Sequence, residues 1–238
     1  MFNGLREDIA AAKSNDPAAP SSFLILISYP SIRATFFHRI DHWLWNHNCR
    51  GFARWHSQRE RFKTGIEIHP AAQLGHRIFI DHGMGVIIGE TAIVGDDVVI
   101  YQGSTLGGTG NETGKRHPTI EQGAIIGVGS AVLGNITIGA RSRIGGGAVV
   151  VHDVPPDCTV VGIPGHIVRR DGKRVATTKI EELLRHEDLP DPVVGALTEL
   201  DKRMAAIEAN CARMNGLHID YGERSPLFDE ESLGMPLE

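Results

Sequence analysis

With 238 residues, 41% of them hydrophobic and 22% charged, the chain can bury a sizeable core in one or two globular domains, which excludes disorder throughout. Its 24 Lys and Arg are outnumbered by 29 Asp and Glu, a formal net charge of −5, which argues against a general nucleic-acid binder, since that role needs a basic stripe to neutralise phosphates. No stretch approaches the roughly 20 apolar residues of a membrane span, and "SSFLILISYP" is too short and lacks a preceding basic flank, so no membrane attachment and a cytoplasmic location are expected.

From Met1 to about Lys63 the pattern is helical, with Ile32, Phe36, Ile40, Trp43 and Leu44 recurring at spacings of three and four. The stretch "NDPAAP" interrupts it as a turn. Trp43 and Trp45, at helical spacing, are read as packing rather than as a binding platform. Arg54, Arg59, Arg61 and Lys63 cluster as a solvated helix face. The three cysteines, Cys49, Cys158 and Cys211, are far apart and odd in number, so neither a disulfide framework nor a Cys-rich zinc site is indicated.

The segment 65–168 changes character, being rich in Gly, Ile and Val. Ile68, Leu74 and Ile80 share one register; Ile88, Val94, Ile100 and Leu106 a second; Ile120, Ile126, Val132, Ile138, Ile144 and Val150 a third, each aliphatic residue six after the last. Glycine commonly follows (Gly75, Gly89, Gly95, Gly107, Gly127, Gly139, Gly145). Small residues sit four after it (Ala72, Ala92, Ser104, Ala124, Ser130, Ser142, Ala148). A period of six fits neither an amphipathic helix nor a long alternating strand. It fits a short strand plus a turn, repeated as a solenoid with its aliphatic residues stacked inside and three units to each triangular coil.

The segment 169–238 forms a C-terminal extension. "RRDGKRV" reads as an exposed basic hairpin or turn, and beyond Pro190 and Pro192 the residues Val193, Leu197, Leu200, Met204, Ile207, Cys211 and Met214 alternate steps of four and three as a heptad seam. Such a seam suits a three-stranded coil on a trimer or a single helix docked on its own subunit. From Gly216 the chain is acidic.

The six-residue rhythm breaks twice. Ile80 and Ile88 are eight apart, with Asp81 and His82 at the bulge, and Leu106 and Ile120 are fourteen apart, around "GGTGNETGKRHPT". Extra residues cannot lie inside a packed coil, so both must protrude, and loops on a rigid scaffold are where sites are commonly built. These excursions carry His82, Arg116 and His117.

The hexapeptides resemble the left-handed parallel β-helix of the hexapeptide-repeat acyltransferases; the hand comes from that resemblance alone, since crossovers are usually right-handed. Over about Asp16 to Gly165, "HWLWN", "IHPAA", "IDHGMGVIIGETA", "TLGGTG", "KRHP" and "VVGIPG" together resemble serine O-acetyltransferase, which makes O-acetylserine for cysteine synthesis. The implied fold is mostly β, a β-helix over 65–168 preceded by a helical region over 1–64.

The resemblance implies roles residue by residue. His82 is the general base that takes the serine hydroxyl proton. Glu67, where the family usually has Asp, is its dyad carboxylate. Asp16 and Asp81 match the acidic substrate residues, while Arg116 and His117 meet the substrate carboxylate. Acetyl-CoA would run along Gly108, Thr109, Gly127, Val128, Arg143 and Gly146, with amides near Gly108 stabilising the oxyanion and Arg143, Arg169 or Arg170 facing its phosphates. No metal is required.

L-cysteine, sharing the amino-acid head group, is the implied feedback inhibitor. The short amino-terminal region suggests a homotrimer rather than a hexamer, and the ending "GMPLE", which is not the usual Ile, argues against a conventional complex with O-acetylserine sulfhydrylase. Two rivals are an acetyltransferase acting on a sugar or other small hydroxyl acceptor, and a γ-type carbonic anhydrase. The latter needs a histidine five residues after His117, where Gln122 stands.

Overall fold

The structure, a computed structural model, describes residues 2–110 and 113–175, and in addition Arg203, Met204 and Ile207, which are helical. Apart from Met204 and Ile207, the residues of the expected heptad seam, and the whole acidic tail, lie outside the described residues. No described helix is long and apolar enough to cross a membrane.

Four helices come first: α1 (Phe2–Asn15), α2 (Ser22–Ser28), α3 (Pro30–Asn46) and α4 (Arg50–Thr64). Their limits follow local chemistry. The Ser21 hydroxyl caps α2 by accepting from the Leu24 amide, Pro30 opens α3 where no backbone donor is needed, and Gly65 ends α4 in the left-handed conformation at φ 73°. Asp8, fully buried on α1, takes a bidentate ion pair from Arg39 of α3 at 2.6 and 3.1 Å and a hydroxyl bond from Thr35 at 3.0 Å.

Trp43 corrects the expectation of packing: it is 55% exposed, with its ring stacked on His47. The inward face of α3 is instead Ser31, Ile32, Ala34, Thr35, His38 and Asp41, a largely polar seam that an apolar pattern could not register. Trp45 is half-buried, edge-on to His69.

Sixteen short strands follow: β1 (Glu67–Ile68), β2 (Gln73–Leu74), β3 (Phe79–Asp81), β4 (Ile87–Ile88), β5 (Ile93–Val94), β6 (Val99–Tyr101), β7 (Thr105–Gly107), β8 (Thr119–Ile120), β9 (Ile125–Ile126), β10 (Ala131–Leu133), β11 (Thr137–Ile138), β12 (Arg143–Ile144), β13 (Val149–Val150), β14 (Cys158–Val161), β15 (His166–Arg170) and β16 (Lys173–Arg174). They stack in three sheets. Face A is β1-β4-β7-β10-β13, face B is β2-β5-β8-β11, and face C is β3-β6-β9-β12-β14, which β15 and β16 extend.

Pairing within each stack is parallel, as in Glu67↔Ile87, Ile87↔Thr105 and Thr105↔Ala131, until β15 and β16 turn antiparallel. The chain thus winds from A to B to C as a parallel β-solenoid. The segment "RRDGKRV" spans the end of β15 and the hairpin to β16, so β15 crosses the expected 168/169 boundary. Helices and solenoid both belong to one compact unit, Met1–Thr177.

The sixfold rhythm is the interior. Every aliphatic residue of the three registers is buried except Leu74, which packs partly buried against the stack. The small residues four positions on are buried at the inner bends, where Ser104 and Ser130 both donate to the Gly127 carbonyl, at 2.8 and 2.7 Å. A side chain on Gly127 would approach the Ile144 carbonyl oxygen to 2.5 Å, so only glycine lets the next coil come this close.

Ala12, Ile25 and Ile32 from the helices form a second cluster with Phe79 and Val99, one residue off the interior positions Ile80 and Ile100 on face C. That contact sets the α1–α2 turn beside the end of β3.

Candidate active site

At the corner from face C to face A, β3 ends in Asp81 and the chain makes a tight turn, the Gly83 amide bonding the Asp81 carbonyl at 2.6 Å. His82 occupies the turn at φ 56°, a region that costs a non-glycine residue free energy and is concentrated at functional sites. A side chain on Gly83 would strike Ile66 at 2.5 Å, so the turn sits down on Ile66 and His82 stands exposed.

The α1–α2 turn and the α2–α3 junction supply this corner's other groups. Asp16 accepts the Ala18 amide on Oδ1 at 2.8 Å and the Tyr29 hydroxyl on Oδ2. The Tyr29 bond, then the Ala18 amide, hold the Asp16 carboxyl below the usual range against a smaller burial effect, and positive charge on His82 lowers it further. Tyr29 is pushed up to about 12, first by its bond to Asp16, then by burial and by the charges of Asp16 and Asp81. Asp16, Tyr29, Asp81 and His82 therefore share one electrostatic neighbourhood.

The second excursion leaves at a different corner, from face A to face B between β7 and β8. His117 is 8% exposed there. The Thr91 hydroxyl oxygen accepts the Arg116 and His117 amides at 3.0 and 3.1 Å and lies 2.9 Å from His117 Nδ1, so its proton points to that nitrogen, as does the Thr91 amide at 3.2 Å. With Nδ1 an acceptor, the neutral ring carries its proton on Nε2. Burial first, then Arg116 and Lys115, lower the His117 pKa against an opposing pull from Glu90, which favours that neutral form. Arg116 pairs with Glu90 at 2.5 Å, and Lys115 donates to the His117 carbonyl.

Glu67 is engaged by α4 in this structure. Its carboxylate does not meet His82 among the described contacts; it takes Arg54 at 3.3 Å and Gln58 at 3.2 Å on Oε1 and Arg61 at 3.1 Å on Oε2. The Arg54 and Arg61 side chains of α4 are thus engaged with the first coil instead of forming only a solvated face. The two guanidiniums occupy both oxygens because α4 leads through Gly65 directly into β1.

The residues expected to hold acetyl-CoA divide between the same two corners. Gly127, Val128 and Gly146 lie on the His82 corner, where Val128 is 48% exposed and a side chain on Gly146 would come within 3.0 Å of it. Arg143 is exposed on β12 of face C. Gly108 and Thr109 are exposed at the foot of the other loop, Gly108 against the Arg116 carbonyl. One prism edge of about six residues, roughly 15–20 Å at strand rise, separates the corners.

No protein-family model matches the chain. It is 50% identical over 209 residues to the serine acetyltransferase of Bacillus subtilis (strain 168), covering 88% of this chain and 94% of that one. The chain belongs to the serine acetyltransferases. Among solved structures it resembles a serine acetyltransferase complexed with cysteine (39% identity, TM-score 0.70, 71% of this chain and 66% of that chain). It also resembles the Brucella abortus strain S19 serine acetyltransferase complexed with coenzyme A (41% identity, TM-score 0.69, 71% of this chain and 68% of that chain).

As an acyltransferase of this family, the chain carries site features that residue patterns did not single out. Tyr29 binds Asp16 across 13 positions and Thr91 holds His117 across 26, so neither shows as local spacing. A signal for Thr91 existed, since "GET" follows the aliphatic Ile88 as the long loop follows Leu106, one coil on, in Cα register. Gly89 makes the room: a side chain there would land 2.0 Å from His117 Cδ2.

Proposed function

We propose that this serine acetyltransferase transfers the acetyl group of acetyl-CoA to the L-serine hydroxyl, with His82 as general base, in the cytoplasm. The observation that carries the assignment is the exposed imidazole forced out of the coil beside Asp81 and Asp16. His82 takes the hydroxyl proton as the serine oxygen attacks the thioester carbonyl carbon. The oxyanion is met by backbone amides near Gly108. On collapse the carbon–sulfur bond breaks, and the imidazolium returns its proton to the CoA thiolate, leaving O-acetyl-L-serine and CoA. No step draws on a metal.

Asp16 and Asp81 match the serine ammonium, and Arg116 with the Nε2–H of His117 matches its carboxylate. Gly127, Val128, Arg143 and Gly146 line the pantetheine path on one side, Gly108 and Thr109 on the other. Glu67, held by Arg54, Gln58 and Arg61, is the carboxylate assigned to steady the His82 imidazolium. One amino acid cannot bridge a prism edge, so the His82 corner of one protomer meets the 107–119 loop of another in a homotrimer. Cysteine, with the same head group, competes with serine.

The test is serine-dependent CoA release by the native protein and by His82→Ala. The variant is expected to lose about 10²–10⁴-fold in kcat while keeping the oligomer's mass. A sugar acceptor reacting where serine is inert would overturn the substrate assignment.

A further inference from the structure

Tyr29 is used by nothing in the reaction just described, yet it is placed with care. It closes α2, its amide bonding the Ile25 carbonyl, and it caps α3 immediately before Pro30. Its ring packs against the cluster of Ala12, Ile25, Ile32, Phe79 and Val99. A residue at a helix–helix junction with its ring held by that cluster has little freedom, so the position of its hydroxyl is set by the fold.

The hydroxyl donates to Oδ2 of Asp16, whose Oδ1 is already tied to the Ala18 amide. An ionised carboxylate has about four acceptor positions, so about two of those on Asp16 remain. The charges of His82, in the β3 turn, and of Asp81, at the end of β3, act on Asp16 and Tyr29 respectively.

A carboxylate tied at both oxygens is held in one orientation, and that orientation decides whether its remaining acceptor positions meet an incoming cation. We propose that Tyr29 is a positioning residue for the acceptor's amino group, its phenol and the Ala18 amide each holding one oxygen of Asp16 so that this carboxylate is fixed in place, beside Asp81, for an ammonium. The phenol suits the task because it stays protonated at every working pH, with a pKa near 12. The inference rests on the reading of Asp16 and Asp81 as the ammonium site, and it adds specificity: a hydroxy acid without an amine leaves the pair uncompensated.

The test is Tyr29→Phe, which keeps the ring. Its KM for serine is expected to rise about tenfold, with kcat and the KM for acetyl-CoA held within about twofold. In an Asp16→Asn background the same substitution should cost nothing further. An unchanged serine KM, an equal loss for acetyl-CoA, or a full second loss in the Asp16→Asn background would overturn the proposal.

A second measurement leaves the hydroxyl in place, and so decides the matter even if Tyr29→Phe folds poorly. The chain has only three tyrosines, Tyr29, Tyr101 and Tyr221. With 3-fluorotyrosine incorporated, the 19F signal of Tyr29 should move on adding serine and stay still on adding glycerate. A signal unmoved by serine, or moved equally by both, rejects the role of Tyr29. A native protein that binds serine in this way but releases no CoA would refute the His82 assignment and leave that of Tyr29 standing.

Discussion

Hydrogen-bond bookkeeping at Thr91 decides what His117 can do. The hydroxyl has spent its lone pairs on two backbone amides, so it can only donate to Nδ1, and His117 can only donate from Nε2. Thr91→Val keeps the shape and removes this arrangement. Two part-buried amides lose an acceptor, and His117 Nδ1 keeps only the longer bond from the residue 91 amide, so the ring is held less firmly. The expected outcome is a loss of about 10–100-fold in kcat/KM for serine, consistent with one to three kcal/mol for unsatisfied buried groups, while acetyl-CoA binding by calorimetry is retained. Gly89→Ala should mimic it by steric means, since its new carbon would lie 2.2 Å from Nε2. His82, Arg116 and His117 could be picked out because they break a repeat. Thr91 and Tyr29 act through partners distant along the chain, and no residue spacing marks such a contact in advance.

The repeats and the helices were legible to different degrees for one physical reason. In the solenoid each coil buries one aliphatic residue per face, so the burial pattern is written directly in the period, and Ile126 or Leu106 could be placed inside from spacing alone. The period is silent on hand, and it does not say which corner each excursion leaves from. The inward seam of α3 holds His38 and Asp41, and apolar periodicity registered that helix toward Trp43 instead. That polar seam has a measurable consequence. Burial, followed by the charges of His42 and Arg39, pushes His38 down to about 3, while burial and Arg54 push His69 to about 4. Both lie below the ordinary histidine value, so between that value and the folded ones the unfolded chain binds the extra protons. Their contribution is complete above about pH 6.5 and is lost as pH falls toward about 4 for His69 and about 3 for His38, at up to about 1.4 kcal/mol per pH unit for each group. Urea unfolding at pH 7, 6 and 5 should show this slope, and His38→Leu should flatten it. A slope unchanged by that substitution would show that His38 is not one of the titrating groups.

For the whole molecule, the decisive fact is that a single prism carries its two excursions at different corners. His82 follows face C and enters face A; the loop bearing Arg116 and His117 leaves face A and enters face B. On the proposed roles, a lone protomer carries the base and its acidic neighbours at one edge and the carboxylate-binding groups at another, and copies arranged about a threefold axis would bring unlike edges together. The arrangement predicts complementation. His82→Ala lacks the base but has an intact loop, and Arg116→Ala lacks the loop cation but has an intact base; each alone should be nearly inactive. Unfolded together in equal amounts and refolded, the two variants would form mixed assemblies of the proposed trimer, in which some interfaces pair the good His82 of one chain with the good loop of the next. Random assembly makes that pairing in about a quarter of interfaces, one half times one half, so activity should return to roughly that fraction of native. Mixing without unfolding should restore little at first, because the protomers must exchange. If each chain completed its own site, refolded mixtures would stay as inactive as their parents, and the intersubunit site would be wrong even with His82 as the base.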